Sequence, residues 1–267
     1  DLARLLSSEN GKPITEARAE IGNVTIGFSG FIERAKHFYG MIIPQGTEAG
    51  QQTTMQLVLR EPVGVVVCII PFNFPCDLFD QKVAPALMMG NSALVLPSSD
   101  NPLTLMRLTE LLVEAGVPDG VINFLPGKGS VISDVVMAHP DLAGIHFTGS
   151  TAVFQSFWKT VGENIGKYRT YPKLVGETGG KDFIFAHKSA DPQELAVAIV
   201  RGAFEYQGQK CSAASRAYIP KSLWGKVKDN IGAMLKTIKM GDVRDFSNFV
   251  NAVIDEVAFD NIAGYIE

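Results

Sequence analysis

The feature that most constrains the fold is an almost uninterrupted apolar segment at residues 63–70, VGVVVCII. A run of this kind, rich in β-branched side chains, is typical of a strand that is covered on both faces. The pattern then predicts helices at residues 80–89 and from residue 102, and it predicts strands at residues 93–96, 121–125 and 144–147. Repeated strand–helix–strand units indicate an α/β fold with a parallel, doubly wound sheet. Ligands bind such sheets beyond the carboxyl ends of the strands.

The same alternation starts again after about residue 175. Strands are predicted at residues 183–186 and 216–219, with helices beginning at Asp191-Pro192 and at Ser222. Two α/β units are therefore expected to meet near residues 170–180. The polar segment 44–62, which ends in an alternating hairpin strand, fits neither unit and is predicted to be an edge that pairs with another subunit.

Composition excludes several classes of function. The net charge of the 267 residues is −4, and no basic run suggests nucleic acid or anionic lipid as a partner. The apolar runs are too short to span a bilayer, so no membrane role is expected. Three cysteines are too few for a disulfide framework, and they form no CxxC pair near the four histidines, so no metal site is expected.

Cys211 is the strongest candidate for chemistry from local sequence. It lies in the small, polar segment GQKCSAAS between a predicted helix and a predicted strand. A cysteine in such a setting is expected to be accessible, and the neighbouring Lys210 is expected to favour its thiolate. Cys68 lies inside the apolar strand and is expected to be an inert, buried side chain.

Glu177 and Asn73 are weaker candidates when each is considered alone. Glu177 lies among the glycines of VGETGGK, where a solvated carboxylate is commonplace. Asn73 follows the first strand in PFNFP, where it either donates to a ligand at the carboxyl edge of the sheet or only closes a turn.

Two glycine-containing loops also follow predicted strands. Gly149-Ser150 opens a helix, so its backbone N–H groups are placed to receive a phosphate, and Gly127-Lys128-Gly129 allows close approach of a ligand. Neither loop completes the dinucleotide-binding pattern G-x-G-x-x-G, so neither is specific on its own.

The order of these motifs is far more specific than any one of them. PFNFP, FTGS, GETGGK and GQKC follow one another as they do in the aldehyde dehydrogenase superfamily, which the whole chain resembles. From about residue 140, the motifs IHFTGST, YPKLVGETGGKDF and AFEYQGQKCSAASRAYIPKSLW are most similar to the branch of delta-1-pyrroline-5-carboxylate dehydrogenases, also called glutamate-semialdehyde dehydrogenases. Phe154 stands where the wider family usually has glycine.

This resemblance implies a division into domains. Residues 1–43 and 63–174 would form a Rossmann-like cofactor-binding domain, residues 44–62 an oligomerisation arm, and residues 175–267 part of an α/β catalytic domain. It also implies a homo-oligomer, located in the mitochondrial matrix if the protein is eukaryotic and in the cytoplasm if it is bacterial.

The resemblance further implies a reaction, the oxidation of an aldehyde by NAD, or alternatively NADP, through a cysteine thiohemiacetal and thioester. The implied substrate is L-glutamate semialdehyde, and a general aliphatic or semialdehyde substrate is the alternative. Carried over residue by residue, Cys211 would be the nucleophile, Glu177 the general base and Asn73 the oxyanion donor. Phe74 and Ser212 would lie beside the substrate. The implied cofactor contacts are Phe72, Ser98, Gly129, Gly149, Ser150 and Phe154.

The chain departs from the family pattern at Leu96, where the family typically has a lysine that reaches the cofactor ribose. The chain also resembles only the middle of a family member, so the isolated 267 residues are expected to bind cofactor poorly and to show little activity. Two other classes stay open. One is a relative that transfers the acyl group to coenzyme A, against which Glu177 counts, and the other is a non-catalytic binding or structural relative, which Leu96 favours.

Overall fold

The structure is a computed structural model, and it describes residues 1–266. In this part of the chain the strands are β1 (Gly40–Ile43), β2 (Gln56–Leu59), β3 (Val65–Ile69), β4 (Ser92–Leu96), β5 (Ile122–Phe124), β6 (Leu142–Thr148), β7 (Lys173–Glu177), β8 (Phe183–Phe185) and β9 (Arg216–Tyr218). The helices are α1 (Leu2–Asn10), α2 (Ile14–Ala35), α3 (Pro75–Met88), α4 (Pro102–Glu114), α5 (Gly129–Ala138), α6 (Thr151–Glu163), α7 (Pro192–Phe204), α8 (Lys221–Leu235) and α9 (Glu256–Ile266).

The central element is a five-stranded sheet in the order β5-β4-β3-β6-β7, in which every neighbouring pair is parallel. The chain adds β4 and β5 on one side of β3 and then crosses to add β6 and β7 on the other side. This change of direction opens a crevice at the carboxyl ends of β3 and β6. The predicted α/β fold with a parallel sheet is therefore confirmed.

The sheet is buried on both faces, which explains the continuous apolar run of β3. Cys68 packs on one face with residues of α1 to α4, including the fully buried Phe79. Val67 packs on the opposite face with Phe157 of α6 and Met137 of α5. Neighbouring strand residues point to opposite faces, so both members of each pair must be apolar.

Helix α3 begins at Pro75, five residues before the predicted helix at 80–89. Proline is favoured at the first helical position because it has no N–H to leave unpaired. The carboxylate of Glu20, from α2, accepts hydrogen bonds from the N–H groups of Cys76 and Asp77 at 2.8 and 3.2 Å. Glu20 thus caps α3 at its first turn. With these N–H groups satisfied, the helix begins at an earlier residue than the apolar periodicity indicated.

The second α/β unit contains a short parallel sheet of β8 and β9, against which α7 and α8 pack. Strand β7 precedes this unit and forms an edge of the large sheet, where Glu177 is paired with Thr148 of β6. Because β7 runs across the predicted boundary between residues 174 and 175, the division into domains stays a prediction.

The hairpin of β1 and β2 extends from the sheet as an antiparallel pair. Its apolar side chains are exposed, among them Ile42 at 69% and Leu59 at 69%. An exposed apolar edge of this kind is suited to pairing with another chain. The predicted oligomerisation arm, residues 44–62, contains β2 but not β1, and its role stays a prediction. Among residues 1–266, no helix combines the length and the apolar character needed to cross a bilayer.

Candidate active site

Three adjacent strands place candidate residues at one edge of the sheet. Asn73 follows β3, Gly149 follows β6, and Glu177 ends β7, and these three strands are neighbours in the sheet. The N–H group of Gly149 donates a hydrogen bond to the carbonyl oxygen of Glu177 at 3.1 Å. The parallel topology thus brings together motifs that are about a hundred residues apart in sequence.

Cys211 reaches this edge from the second α/β unit. The carboxylate of Glu177 lies close enough to the Cys211 thiol to raise its pKa. The loop after Glu177 lies so close to Cys211 that a Cβ added to Gly180 would stand 1.5 Å from the carbonyl oxygen of Cys211. The glycine in this loop is therefore required by close approach of two backbone segments, which holds the thiol against the carboxylate.

The electrostatics of Cys211 differ from the prediction. Burial raises the pKa of the thiol above its usual value, and the hydrogen bond to Glu177 and the negative charge of that carboxylate raise it further. Lys210 does not counter this effect, because its ammonium group binds Glu205 at 2.8 Å and Glu16 at 3.2 Å. The expectation that Lys210 favours the thiolate was wrong, because its ammonium group is paired with the carboxylates of Glu16 and Glu205 instead.

Asn73 is linked to the segment that carries the cysteine. Its Nδ2 donates to the carbonyl oxygen of Gln209 at 2.9 Å, and its Oδ1 accepts from the N–H of Phe74 at 3.1 Å. These two contacts determine which end of the amide faces the cysteine loop. An amide nitrogen carries two hydrogens, so the second remains available for an oxygen atom bound beside Cys211.

The turn before Cys211 is strained. Tyr206 and Gln207 have φ values of 52° and 57°, in the left-handed region that side chains other than glycine rarely adopt. Such residues cost roughly 1–2 kcal/mol each and persist where tertiary contacts hold them. The hydroxyl of Tyr206, which is fully buried, donates to Oδ1 of Asn10 at 2.8 Å. Sequence reasoning missed Tyr206, and only the adjacent Gly208 signals a turn there.

Lys82 is a second residue that sequence reasoning missed. It lies in α3 directly after Asp80 and Gln81, is only 2% exposed, and donates from Nζ to Oγ1 of Thr148 at 2.7 Å. Oγ1 of Thr148 in turn lies 3.5 Å from Oε2 of Glu177. Burial lowers the pKa of Lys82, while the nearby Glu177 carboxylate raises it. No clear signal for this burial is present in the sequence, because Asp80 and Gln81 precede Lys82 and give this part of α3 a polar character.

A cavity of about 380 Å³ lies at the carboxyl edge between α5 and α6. Gly129, at the start of α5, lines this cavity, as does Leu96 at the end of β4. A Cβ added to Gly149 would lie 2.5 Å from Cζ of Phe147, so a side chain there would force that ring to move. The volume, the switch-point position and two helix N-termini fit part of a nucleotide cofactor.

The other predicted cofactor contacts do not line this cavity. The carbonyl oxygen of Phe72 accepts from Asn10 and Asn101 at 2.7 and 2.8 Å. Oγ of Ser98 donates to Asp100 at 2.7 Å. The ring of Phe154 stacks on Phe147 with centroids 5.7 Å apart. Ser150 caps α6, because its side chain accepts from the N–H of Val153. The two predicted substrate contacts lie elsewhere: the ring of Phe74 faces the ammonium of Lys12, and Ser212 is exposed beside Cys211.

No group of three histidine, cysteine, aspartate or glutamate side chains that could hold a metal ion occurs among residues 1–266. The fold and the site together define a class of α/β protein, with a thiol–carboxylate pair and a nucleotide-sized cavity at the carboxyl edge of a Rossmann-like sheet.

Comparison with known proteins narrows this class. The profile of the family described as "Aldehyde dehydrogenase family" matches residues 1–267. The mitochondrial delta-1-pyrroline-5-carboxylate dehydrogenase of Dictyostelium discoideum is 44% identical over 261 residues, which cover 96% of this chain and 46% of that protein. A probable delta-1-pyrroline-5-carboxylate dehydrogenase of Schizosaccharomyces pombe is 43% identical over 262 residues and is covered to 47%. The chain belongs to the aldehyde dehydrogenase family, and it spans about half the length of these curated relatives.

Solved structures show the same fold. The Delta-pyrroline-5-carboxylate dehydrogenase of Mycobacterium tuberculosis superposes with a TM-score of 0.87 and 40% identity, covering 99% of this chain and 49% of that chain. The betaine aldehyde dehydrogenase of Staphylococcus aureus, solved in complex with NAD⁺, has a TM-score of 0.92 and 30% identity, with 99% and 50% covered. The resemblance drawn from the sequence motifs, both to the family and to its delta-1-pyrroline-5-carboxylate dehydrogenase branch, is confirmed.

Proposed function

We propose that the protein oxidises an aldehyde to a carboxylic acid with NAD or NADP, with Cys211 as nucleophile, Glu177 as general base and Asn73 as oxyanion donor. The observation that carries this proposal is the convergence of three segments at one edge of the sheet. The loop after Glu177 packs on the Cys211 backbone so closely that a Cβ on Gly180 would stand 1.5 Å from the carbonyl oxygen of Cys211, and Nδ2 of Asn73 donates to the carbonyl oxygen of Gln209, two residues before Cys211. A nucleophile, a base and an amide donor that meet at one edge of a sheet are the minimal apparatus for covalent chemistry at a carbonyl carbon.

In the first half of the reaction the sulfur of Cys211 attacks the aldehyde carbon, and a C–S bond forms as the carbonyl oxygen becomes negative. The thiol proton passes to solvent before this attack, and the nearby Glu177 carboxylate raises the pKa of that thiol. The free N–H of Asn73 and the backbone N–H of Cys211 would then stabilise the oxyanion. Residues that line the cavity between α5 and α6, Gly129 among them, would hold a nicotinamide cofactor that supplies the hydride acceptor for this carbon, and the carbon would then remain bound to Cys211 as a thioester.

In the second half, water attacks the thioester carbon, the C–S bond breaks, and the acid leaves while the thiol of Cys211 is regenerated. Glu177 serves as the base that takes a proton from this water. Thr148 and the buried Lys82 are connected to this carboxylate and orient it, since Lys82 bonds to Thr148 at 2.7 Å. The presence of this base also separates the proposal from a relative that passes its acyl group to coenzyme A.

The proposed substrate is L-glutamate semialdehyde. The support is that curated relatives with more than 40% identity are named delta-1-pyrroline-5-carboxylate dehydrogenases. Those of Dictyostelium discoideum, Mus musculus and Homo sapiens are among the relatives that are also named mitochondrial. We extend the proposal to a mitochondrial location for a eukaryotic protein, and to a homo-oligomer that uses the exposed hairpin of β1 and β2.

A comparison of substrates tests this proposal in the natural protein that contains these residues. We expect kcat/KM for L-glutamate semialdehyde to exceed that for pentanal by at least about 100-fold, because a site that pairs charged groups rejects an analogue that lacks them. Pentanal has the same number of carbon atoms and is the matched control. Equal values for the two aldehydes would favour a general aliphatic aldehyde dehydrogenase.

One observation favours a second candidate, a relative that has lost catalysis and serves as a binding protein. Leu96 is 4% exposed and lines the cavity between α5 and α6, where it offers a bound nucleotide no hydrogen bond. Hydrogen bonds to charged groups contribute about 1.5–3 kcal/mol each, so the missing contact weakens cofactor binding substantially.

The Leu96→Lys variant tests this point. We expect it to bind NAD or NADP at least about tenfold more tightly, because about 1.4 kcal/mol corresponds to a tenfold change in Kd. Isothermal titration calorimetry measures this directly, and Leu96→Met is the control because it keeps the volume without adding charge. If Leu96→Lys binds no more tightly than Leu96→Met, the ribose contact is not formed at this position.

A further inference from the structure

A buried ion pair lies directly behind the loop that carries Asn73. Lys12 and Glu20 are 0% and 1% exposed, and the ammonium of Lys12 is paired with Oε2 of Glu20. Charged side chains are almost never buried this completely without a partner, and removing one partner of such a pair is strongly destabilising. The proposed reaction uses neither residue directly, so the position of the pair requires another reason.

Each donor of the Lys12 ammonium has an acceptor. Besides Glu20, Nζ donates to the backbone carbonyl oxygen of Asn73 at 2.6 Å. The remaining side of the ammonium faces two aromatic rings, Phe74 at 3.8 Å and Tyr206 at 4.5 Å from the ring centroids. An ammonium group has three N–H donors, and aromatic faces attract cations, so this group has no freedom to move elsewhere.

Glu20 holds the next part of the same loop. Its other oxygen, Oε1, accepts from the N–H groups of Cys76 and Asp77 at the start of α3. The ion pair therefore holds the backbone at residue 73 through Lys12 and at residues 76 and 77 through Glu20. The loop between these points has little freedom to shift relative to α2.

The side chain of Asn73 depends on this backbone. Its Nδ2 must reach the carbonyl oxygen of Gln209 at 2.9 Å while its second N–H remains free. Tyr206, which lies over the ammonium of Lys12, belongs to the strained turn three residues before Gln209. Lys12 thus contacts the loop of Asn73 and also the turn of Tyr206 that leads to Cys211. The distance between these two segments sets the position of the Asn73 amide relative to Cys211.

We infer that Lys12, together with Glu20, is a positioning residue that aims the Asn73 amide at the oxyanion, an inference that rests on the proposed function. Donors in an oxyanion hole act because they are held in place before the reaction begins. A shift of roughly 1 Å in such a group lowers the rate by about 100-fold. Loss of the pair should therefore slow the chemical step and leave substrate binding nearly unchanged.

The test uses the double variant Lys12→Met/Glu20→Gln in the natural protein that contains these residues. Methionine keeps much of the volume under the two rings, and glutamine keeps an oxygen for the N–H groups of Cys76 and Asp77 without leaving a buried charge unpaired. In a single turnover with excess enzyme, we expect NAD(P)H formation to slow by roughly 10–100-fold, with KM within about threefold.

The matched structural control is Asn91→Ala. Asn91 is also buried, and its Oδ1 accepts from the N–H groups of Val63 and Gly64 at the opposite end of β3. We expect this variant to lower Tm while leaving the single-turnover rate within about twofold. If Asn91→Ala and Lys12→Met/Glu20→Gln lower Tm equally and also lower the single-turnover rate equally, Lys12 has only a structural role and the inference is wrong.

A coupling experiment separates action through Asn73 from any other route. In an Asn73→Ala background, the Lys12→Met/Glu20→Gln change should alter the single-turnover rate by less than about twofold, because the group it positions is already absent. An equal fold-loss in both backgrounds would overturn the inference. If Asn73→Ala itself leaves the rate unchanged, the proposed oxyanion role fails, and the positioning inference fails with it.

A crystal structure of the double variant gives a readout that does not depend on the reaction. We expect Nδ2 of Asn73 to move away from the carbonyl oxygen of Gln209 by about 1 Å or more. An amide that stays in place would overturn the positioning role even if the aldehyde reaction is established. A displaced amide in a protein that oxidises no aldehyde would show that the ion pair holds the Asn73 side chain, but it would overturn the proposed function and with it the aim at an oxyanion.

Discussion

The Cys211→Ala variant of the natural protein that contains these residues is expected to lose aldehyde oxidation almost completely. Without the sulfur no covalent intermediate forms, so the carbon atom that must release hydride is never converted to a tetrahedral alcoholate. Removal of an enzyme nucleophile commonly lowers kcat by about 10⁴-fold or more. The rate of NAD(P)H formation at saturating aldehyde measures this effect.

The two other cysteines are the controls for this experiment. Cys68 and Cys76 are both fully buried, and burial raises the pKa of Cys68 to about 12 and that of Cys76 well above its usual value. Neither is positioned to form a thiolate near neutral pH, so Cys68→Ala and Cys76→Ala should keep most of the chemistry and lose only some stability. Near-normal turnover in Cys211→Ala would show that the nucleophile is a different residue.

The Glu177→Gln variant is expected to separate the two halves of the reaction. Glutamine keeps the shape of the side chain but cannot take a proton from water, so thioester hydrolysis should slow by about 10²–10⁴-fold. The first half should be affected much less, which gives a burst of about one NAD(P)H per active site followed by a slow steady state. If the burst and the steady state decrease together, Glu177 does not act mainly as the base for water.

The same variant should also change the thiol itself. The hydrogen bond to Glu177 and its negative charge both raise the pKa of Cys211, so removal of the charge should lower that pKa. Thiolate forms as pH rises, and a lower pKa shifts this rise to lower pH. Alkylation of Cys211 by iodoacetamide at pH 8 should therefore become severalfold faster in Glu177→Gln. An unchanged pH profile would mean that carboxylate and thiol are not in contact in solution.

Most of the central sheet was predictable from local sequence. The runs that became β3, β4 and β6 are apolar over nearly their whole length, and a strand buried on both faces tolerates little else. Helix α7 was also predictable, because Asp191 accepts from the N–H groups of Gln193 and Glu194 at its start.

Other elements carried no such signal. Strand β7 reads KLVGE and is largely exposed at the edge of the sheet, so its sequence has no apolar run, and pairing with β6 alone makes it a strand. Helix α5 directly follows the glycine loop at residues 127–129 and was not predicted. In both cases contacts with distant segments, rather than intrinsic propensity, decide the conformation.

The identity of the candidate catalytic residues was determined by the sequence alone. Cys211, Glu177 and Asn73 were recognised because reactive side chains lie in small or glycine-containing loops that follow one another in a family-specific order. Such loops have this composition for local reasons, since close backbone approach requires glycine and a reactive thiol requires access.

Only the tertiary structure decided which charges and hydrogen-bond partners surround those residues. Lys210 is adjacent to Cys211 in sequence yet is neutralised by Glu16 and Glu205, whereas Lys12, about two hundred residues away, lies behind the loop of Asn73. Electrostatic and hydrogen-bond effects depend on distance in space and on burial, and neither quantity is contained in the order of residues along the chain. The sequence therefore names the candidate groups, while the packing of α2, α3 and the cysteine loop determines the charges and hydrogen bonds that surround them.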